Sequence, residues 1–148
     1  MPVPIRSGGI RVDWELAPIN NSSRTTICRL FWYLLCYHLI VIEIHLYVDS
    51  SGRNAFERWF ERQNDGTQAR ITTGLDRLER GNFSAAKGVG AGVYELRLDF
   101  GPGYRVYFGK DGEHLLILLG GGTKKRQQAD IDTARALWKE YKQRKREE

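Results

Sequence analysis

The chain has 148 residues, with 23 Lys and Arg against 18 Asp and Glu, and 41% of it is hydrophobic. That length suits one small domain and excludes a two-domain enzyme, while the abundant aliphatics and only four prolines exclude a disordered or collagen-like chain. The net charge of +5 favours anionic partners, and where the cations cluster matters more than their sum.

Residues 1–27 hold three of the four prolines, a Gly-Gly pair and a run of Asn, Ser and Thr, without sustained period, and read as irregular. The apolar run Leu30 to Ile42 ends at Glu43 after about a dozen residues, short of the roughly 20 that a membrane span needs. It starts late and follows Arg29, which fits a secretory signal poorly. Residues 1–40 are therefore expected to be an irregular extension, or the product of a mis-assigned start, ahead of a compact domain over 41–148. Cys28 and Cys36 lack CxxC spacing, so neither a zinc site nor a disulfide framework is implied, and a reducing cytoplasm is the expected location.

From Val41 to Val48, Ile42, Ile44, Leu46 and Val48 alternate with Glu43, His45 and Tyr47, the period of a strand. Asp49, Ser50 and Ser51 are candidate caps for a helix carrying Phe56, Trp59 and Phe60 to about Gln63. After Asp65-Gly66, Thr67 is the candidate cap of a second helix with Ile71, Leu75 and Leu78 on one stripe, ending at Gly81.

A Gly-rich connection over 87–92 leads to three strands at 93–99, 104–109 and 114–119. The turn signals Phe100-Gly-Pro-Gly103 and Lys110-Asp-Gly112 between them predict an antiparallel meander. Leu115 to Leu119 is apolar without alternation, which places that strand mid-sheet with both faces covered. Ile131, Ala134, Trp138 and Tyr141 mark a closing helix that runs into Lys142-Gln-Arg-Lys-Arg146, a basic tail. The predicted order is strand, helix, helix, three strands, helix: an α+β fold with a small antiparallel-rich sheet on a helical hairpin.

Arg97 and Arg105 share a sheet face, and a turn centred near Gly101 makes them cross-strand neighbours. Two like charges opposed in this way are unfavourable unless something anionic lies between them. Ordinary pairing of Arg97 with Glu95 or Asp99 is the plainer alternative. Gly120-Gly-Gly-Thr-Lys-Lys-Arg126 follows the central strand and is either a simple strand-to-helix turn or a source of backbone amides and cations for the same anion. It matches neither the dinucleotide fingerprint nor the P-loop, and His38, His45 and His114 lack metal-ligand spacing.

Gly90-Ala-Gly-Val-Tyr-Glu-Leu-Arg-Leu-Asp-Phe-Gly-Pro-Gly-Tyr-Arg-Val-Tyr-Phe108, followed by Leu116-Ile-Leu-Leu-Gly-Gly-Gly-Thr-Lys-Lys-Arg126 with Asp130-Ile131 and Ala134, resembles the HigB-like, phage-derived (Gp49-like) addiction module killers of the RelE/ParE toxin superfamily. The likeness spans about Val41 to Tyr141. It implies the RelE-like β-α-α-β-β-β-(α) fold and a toxin of a type II toxin-antitoxin pair that cuts messenger RNA at the ribosome and so inhibits translation. It also implies a cognate antitoxin of helix-turn-helix type, contact with DNA only through the toxin-antitoxin complex, and no membrane partner.

RNA is cut when its own 2′-hydroxyl attacks the adjacent phosphate, a route that needs orientation, charge stabilisation and proton transfer and calls for no metal or other cofactor. Under this resemblance Arg97, Arg105 and Lys124 are the candidate catalytic residues, and Lys87, Tyr107, Lys125 and Arg126 the candidate RNA and phosphate contacts. A ParE-like gyrase inhibitor and an inactive, antitoxin-binding relative are the alternatives.

Overall fold

The computed structural model describes residues 41–148 and the two-residue strand β1 (Val3–Pro4); the expectation for the rest of residues 1–40 lies outside the described residues. In chain order there follow β2 (Glu43–Leu46), α1 (Ala55–Phe60), α2 (Asp65–Glu79), β3 (Ala86–Gly90), β4 (Val93–Leu98), β5 (Tyr104–Asp111) and β6 (Leu115–Thr123). A 3-10 turn at Lys124–Arg126 then opens into α3 (Gln127–Glu147). The class is α+β, as the pattern predicts.

The strands form one mixed sheet in the order β1-β2-β6-β5-β4-β3. The meander β4-β5-β6 is antiparallel, and β6 sits between β5 and β2, with which it runs parallel. Its apolar run serves both faces. Leu116 and Leu118 join the core under α1 and α2, whereas Ile117 and Leu119 pack with Tyr107, Ile131 and Trp138 beneath α3. The sheet is thus covered on both sides, by the helical hairpin and by the closing helix, rather than packed on the hairpin alone.

The helix caps differ from those expected. Asn54 Oδ1 accepts the Glu57 N–H at 3.1 Å and Asn64 Oδ1 accepts the Thr67 N–H at 2.9 Å, so two asparagines cap α1 and α2. Thr67 is a recipient, not a cap. Asp49 instead closes the loop before α1, its Oδ1 accepting from the Ser51 and Arg53 N–H groups.

The Gly-rich connection is itself a strand. β3 pairs antiparallel with β4 from Ala86↔Leu96 to Gly90↔Val93, with a bulge near its end. The turn that joins them holds Gly90, Ala91 and Gly92 all at positive φ, which two glycines make accessible. Its packing is equally tight, because Arg135 of α3 donates to the Val89 carbonyl. Among the described residues no helix is long and apolar enough to cross a membrane.

Candidate functional site

Strand pairing brings Arg97 directly opposite Arg105, as the turn at Gly101 demands. Each arginine has its own carboxylate. Arg97, half exposed, lies 3.9 Å from Asp99, and Arg105, only 7% exposed, has Nε 3.1 Å from Glu95 Oε1. The second pair is too poorly aligned for a hydrogen bond, so Arg105 Nε keeps no well-directed acceptor despite the ionic contact.

Glu95 is itself buried, and Gln127 Nε2 at the start of α3 donates to its other oxygen at 2.7 Å. The Arg105 guanidinium is held from the opposite end, where Nη1 donates to the Gly103 carbonyl at 3.0 Å. The same carbonyl accepts the Lys124 N–H at 3.0 Å. One oxygen in the β4–β5 turn thereby fixes both the buried guanidinium and the start of the basic turn.

Lys87, Arg97 and Arg105 line one open groove of about 520 Å³, with Glu95 and Gln127 in its wall. Three cations against one carboxylate leave the groove electropositive, and guanidinium forks suit phosphate oxygens. Lys124 is exposed at its edge, and Lys125 is exposed in the same turn. Of the sequence-derived candidates, Lys87, Arg97 and Arg105 share this groove, and Lys124 and Lys125 lie in the turn that leads into α3.

Tyr107 and Arg126 do not join them. They line a second cleft, of about 350 Å³, between α1 and α3, whose floor is the backbone of Gly120 to Thr123. Tyr107 does face the same way as Arg105, but α3 covers it to 1% exposure, so its ring is not a surface on which a base could stack. Burial first, and then the Glu95 and Asp130 charges against the opposing pull of Arg105, push its hydroxyl well above the usual tyrosine range and keep it protonated.

Gly120, Gly121 and Gly122 are no anion-binding turn either, because they continue β6 and pair with Tyr107, Val106 and Arg105. A Cβ on Gly121 would collide with the Trp59 ring, and one on Gly122 with the Asp130 carboxylate. Gly121 and Gly122 serve close approach, whereas a Cβ on Gly120 would meet open space.

Glu95, Gln127 and Asp130 carry no functional assignment in the sequence pattern, although Glu95 is there an alternative partner of Arg97 and Asp130 lies in the stretch that carries the resemblance. Strand alternation already places Glu95 beside Arg97 and Arg105, and that was the available signal. Gln127 and Asp130 reach the sheet only through the docking of α3, which no local pattern encodes. Asp130 Oδ2 is buried without a hydrogen-bond partner. Desolvation raises its carboxyl above the usual range, with Arg126 pulling the other way.

Residues 58–139 match the family model described as phage derived protein Gp49-like (DUF891). A Haemophilus influenzae protein described as uncharacterized is 42% identical over 86 residues, covering 57% of this chain and 87% of that protein. Both cationic groups fall within the matched stretch.

Proposed function

Because this chain belongs to the phage-derived Gp49-like family, we propose that it is the toxin of a toxin-antitoxin pair, HigB-like in type, and acts as a ribosome-dependent messenger RNA endoribonuclease. The observation that carries this reading is the groove in which Arg97 and Arg105 lie opposite one another, with Lys87 in the lining and Lys124 at the edge. Such a cradle fits a phosphate on which negative charge grows.

In the proposed reaction the RNA 2′-hydroxyl gives its proton to solvent water as its oxygen bonds to phosphorus and the bond from phosphorus to the 5′-oxygen breaks, leaving a 2′,3′-cyclic phosphate and a 5′-hydroxyl. Arg97 and Arg105 stabilise the equatorial oxygens, and the Lys124 ammonium gives a proton to the departing oxygen. Glu95 and Gln127 position the Arg105 guanidinium. Lys87 and Lys125 hold the flanking backbone, and the ribosome aligns the message. A helix-turn-helix antitoxin encoded beside the toxin would keep it inactive, with DNA contacted through the complex. Residues 1–40 are then an extension to the toxin domain over 41–148.

Controlled expression of the full chain, followed by growth and by mapping of message ends, tests this. Wild-type expression should arrest growth with cleaved ribosome-bound messages, and Arg97→Glu, at an exposed position that folding does not need, should abolish both. Arrest with intact messages and damaged DNA would overturn the nuclease reading in favour of gyrase. Absence of arrest from a folded chain would make the protein an inactive relative.

A further inference from the structure

An apolar groove of about 300 Å³ opens between α1, α2 and β2, on the side of the sheet away from the cationic groove, and we propose that it is the docking site for an apolar side chain of the antitoxin that is flanked by lysine or arginine.

Three elements build the walls. Ile44 and Leu46 come from β2, Phe56 and Phe60 from α1 and Leu75 from α2; Ile44, Phe56 and Leu75 are buried, whereas Leu46 and Phe60 are left half-buried. Thr72, Leu75, Asp76 and Glu79 recur at helical spacing, so one stripe of α2 supplies a whole wall. The groove lies at the small end of the roughly 300–1,000 Å³ range of ligand sites, room for a large side chain rather than a cofactor.

Charge decides the partner. In a chain with a net charge of +5, every ionisable residue lining this groove is acidic: Glu57, Asp76 and Glu79. The ion pairs among the described residues all lie elsewhere. Glu79 feels the crowding, since burial first and the Asp76 charge next push its carboxyl above the usual range, with Arg80 pulling the other way. A cation seated at the rim relieves that repulsion, whereas the phosphates of RNA would add to it. Apolar walls ask for a hydrocarbon side chain and the carboxylate rim for cations beside it, which together describe a polypeptide and not a nucleic acid.

This assignment rests on the toxin reading, because that reading supplies the antitoxin. Antitoxin anchor and RNA phosphate then meet opposite faces of the sheet and do not compete for one surface.

The test is titration of the full chain with the protein encoded beside it, repeated on Asp76→Lys and Thr72→Arg, both at exposed positions of the α2 stripe. The neighbouring protein should bind the wild type, and each substitution should weaken binding by about tenfold or more. A synthetic peptide of alternating Leu and Lys should compete, and its Leu and Glu counterpart should not. The thermal midpoint of Asp76→Lys alone separates docking from folding, because removing one of three crowded carboxylates leaves stability unchanged or higher. If that chain instead melts lower, its own cations fill the groove and the proposal falls. It falls equally if a second copy is the occupant, seen as a dimer that Asp76→Lys dissociates, if the neighbouring protein does not bind, or if binding is indifferent to both substitutions. Arrest on expression with indifferent binding would remove the groove and keep the toxin; binding that Asp76→Lys weakens, with no arrest, would keep the groove and remove the ribonuclease.

Discussion

Beneath α1 and α2, Val106, Phe108, Leu116 and Leu118 are essentially fully buried in an apolar cluster that also holds Ile71 and Leu78. Beneath α3, equally good apolar packing around Ile117, Leu119 and Trp138 is interrupted by Arg105, Glu95, Tyr107 and Asp130. Among the described residues, all five buried side-chain atoms without a hydrogen-bond partner belong to α3 or to strand positions on its face of the sheet: His45, Arg105, Tyr107, Asp130 and Arg135. One side of the sheet is held by apolar packing alone. The other leaves buried polar atoms without a hydrogen-bond partner, an energetic penalty that falls beside the candidate site residues.

The largest effects should come from the apolar side. Phe108→Ala removes a ring stacked on Tyr94 at 5.6 Å and should cost about 3–5 kcal/mol in chemical denaturation. Any loss of toxicity should then follow the folded fraction alone. If that variant stays as stable as the wild type, the division between the faces fails.

The polar side should behave differently. Arg105→Ala alone leaves Glu95 buried and unpaired and should destabilise by about 3–5 kcal/mol, so its inactivity would teach little. Arg105→Met combined with Glu95→Leu removes both charges and should leave stability unchanged or raise it by about 1–4 kcal/mol, while growth arrest disappears. A folded double variant that still arrests growth would remove Arg105 from the mechanism.

The smallest effect concerns pH. Because burial raises the Asp130 carboxyl in the folded state, the native chain holds this proton to higher pH than the unfolded chain, where the value is about 3.9. Stability contributed at this site therefore falls as pH rises from about 4 through the raised folded value, and stays lower above it. Asp130→Asn should remove that slope, visible as urea midpoints compared from acid to neutral pH. A variant less stable than wild type at neutral pH would show instead that the ionised carboxylate is well paired.

Much of this division was legible in the sequence. Alternation in β2, the stripe of α2, the unbroken apolar run of β6 and the turn at Gly101 are local signals, and the register that opposes Arg97 and Arg105 follows from them. What failed was the reading of glycine. Gly88 and Gly90 sit in β3, and Gly120 to Gly122 in β6, because pairing with β4 and β5 outweighs weak strand propensity. At Gly121 and Gly122 the side chain is absent because Trp59 and Asp130 occupy its space, a long-range cause that looks locally like a turn. The burial of Tyr107 was illegible for the same reason, since only the docked α3 distinguishes a covered strand face from an open one.

The parallel pairing of β2 with β6 also dictates an order of assembly. Glu43 and its partner Leu115 are separated by about seventy residues, whereas β4, β5 and β6 are joined by short turns. Contacts close in sequence form early because they close short loops, so the meander carrying both arginines is the natural nucleus and β2 docks late. During synthesis β2 leaves the ribosome well before its partner strand exists. The apolar core beneath α1 and α2 must stay open until β6 emerges, which makes the completed sheet a late product of translation.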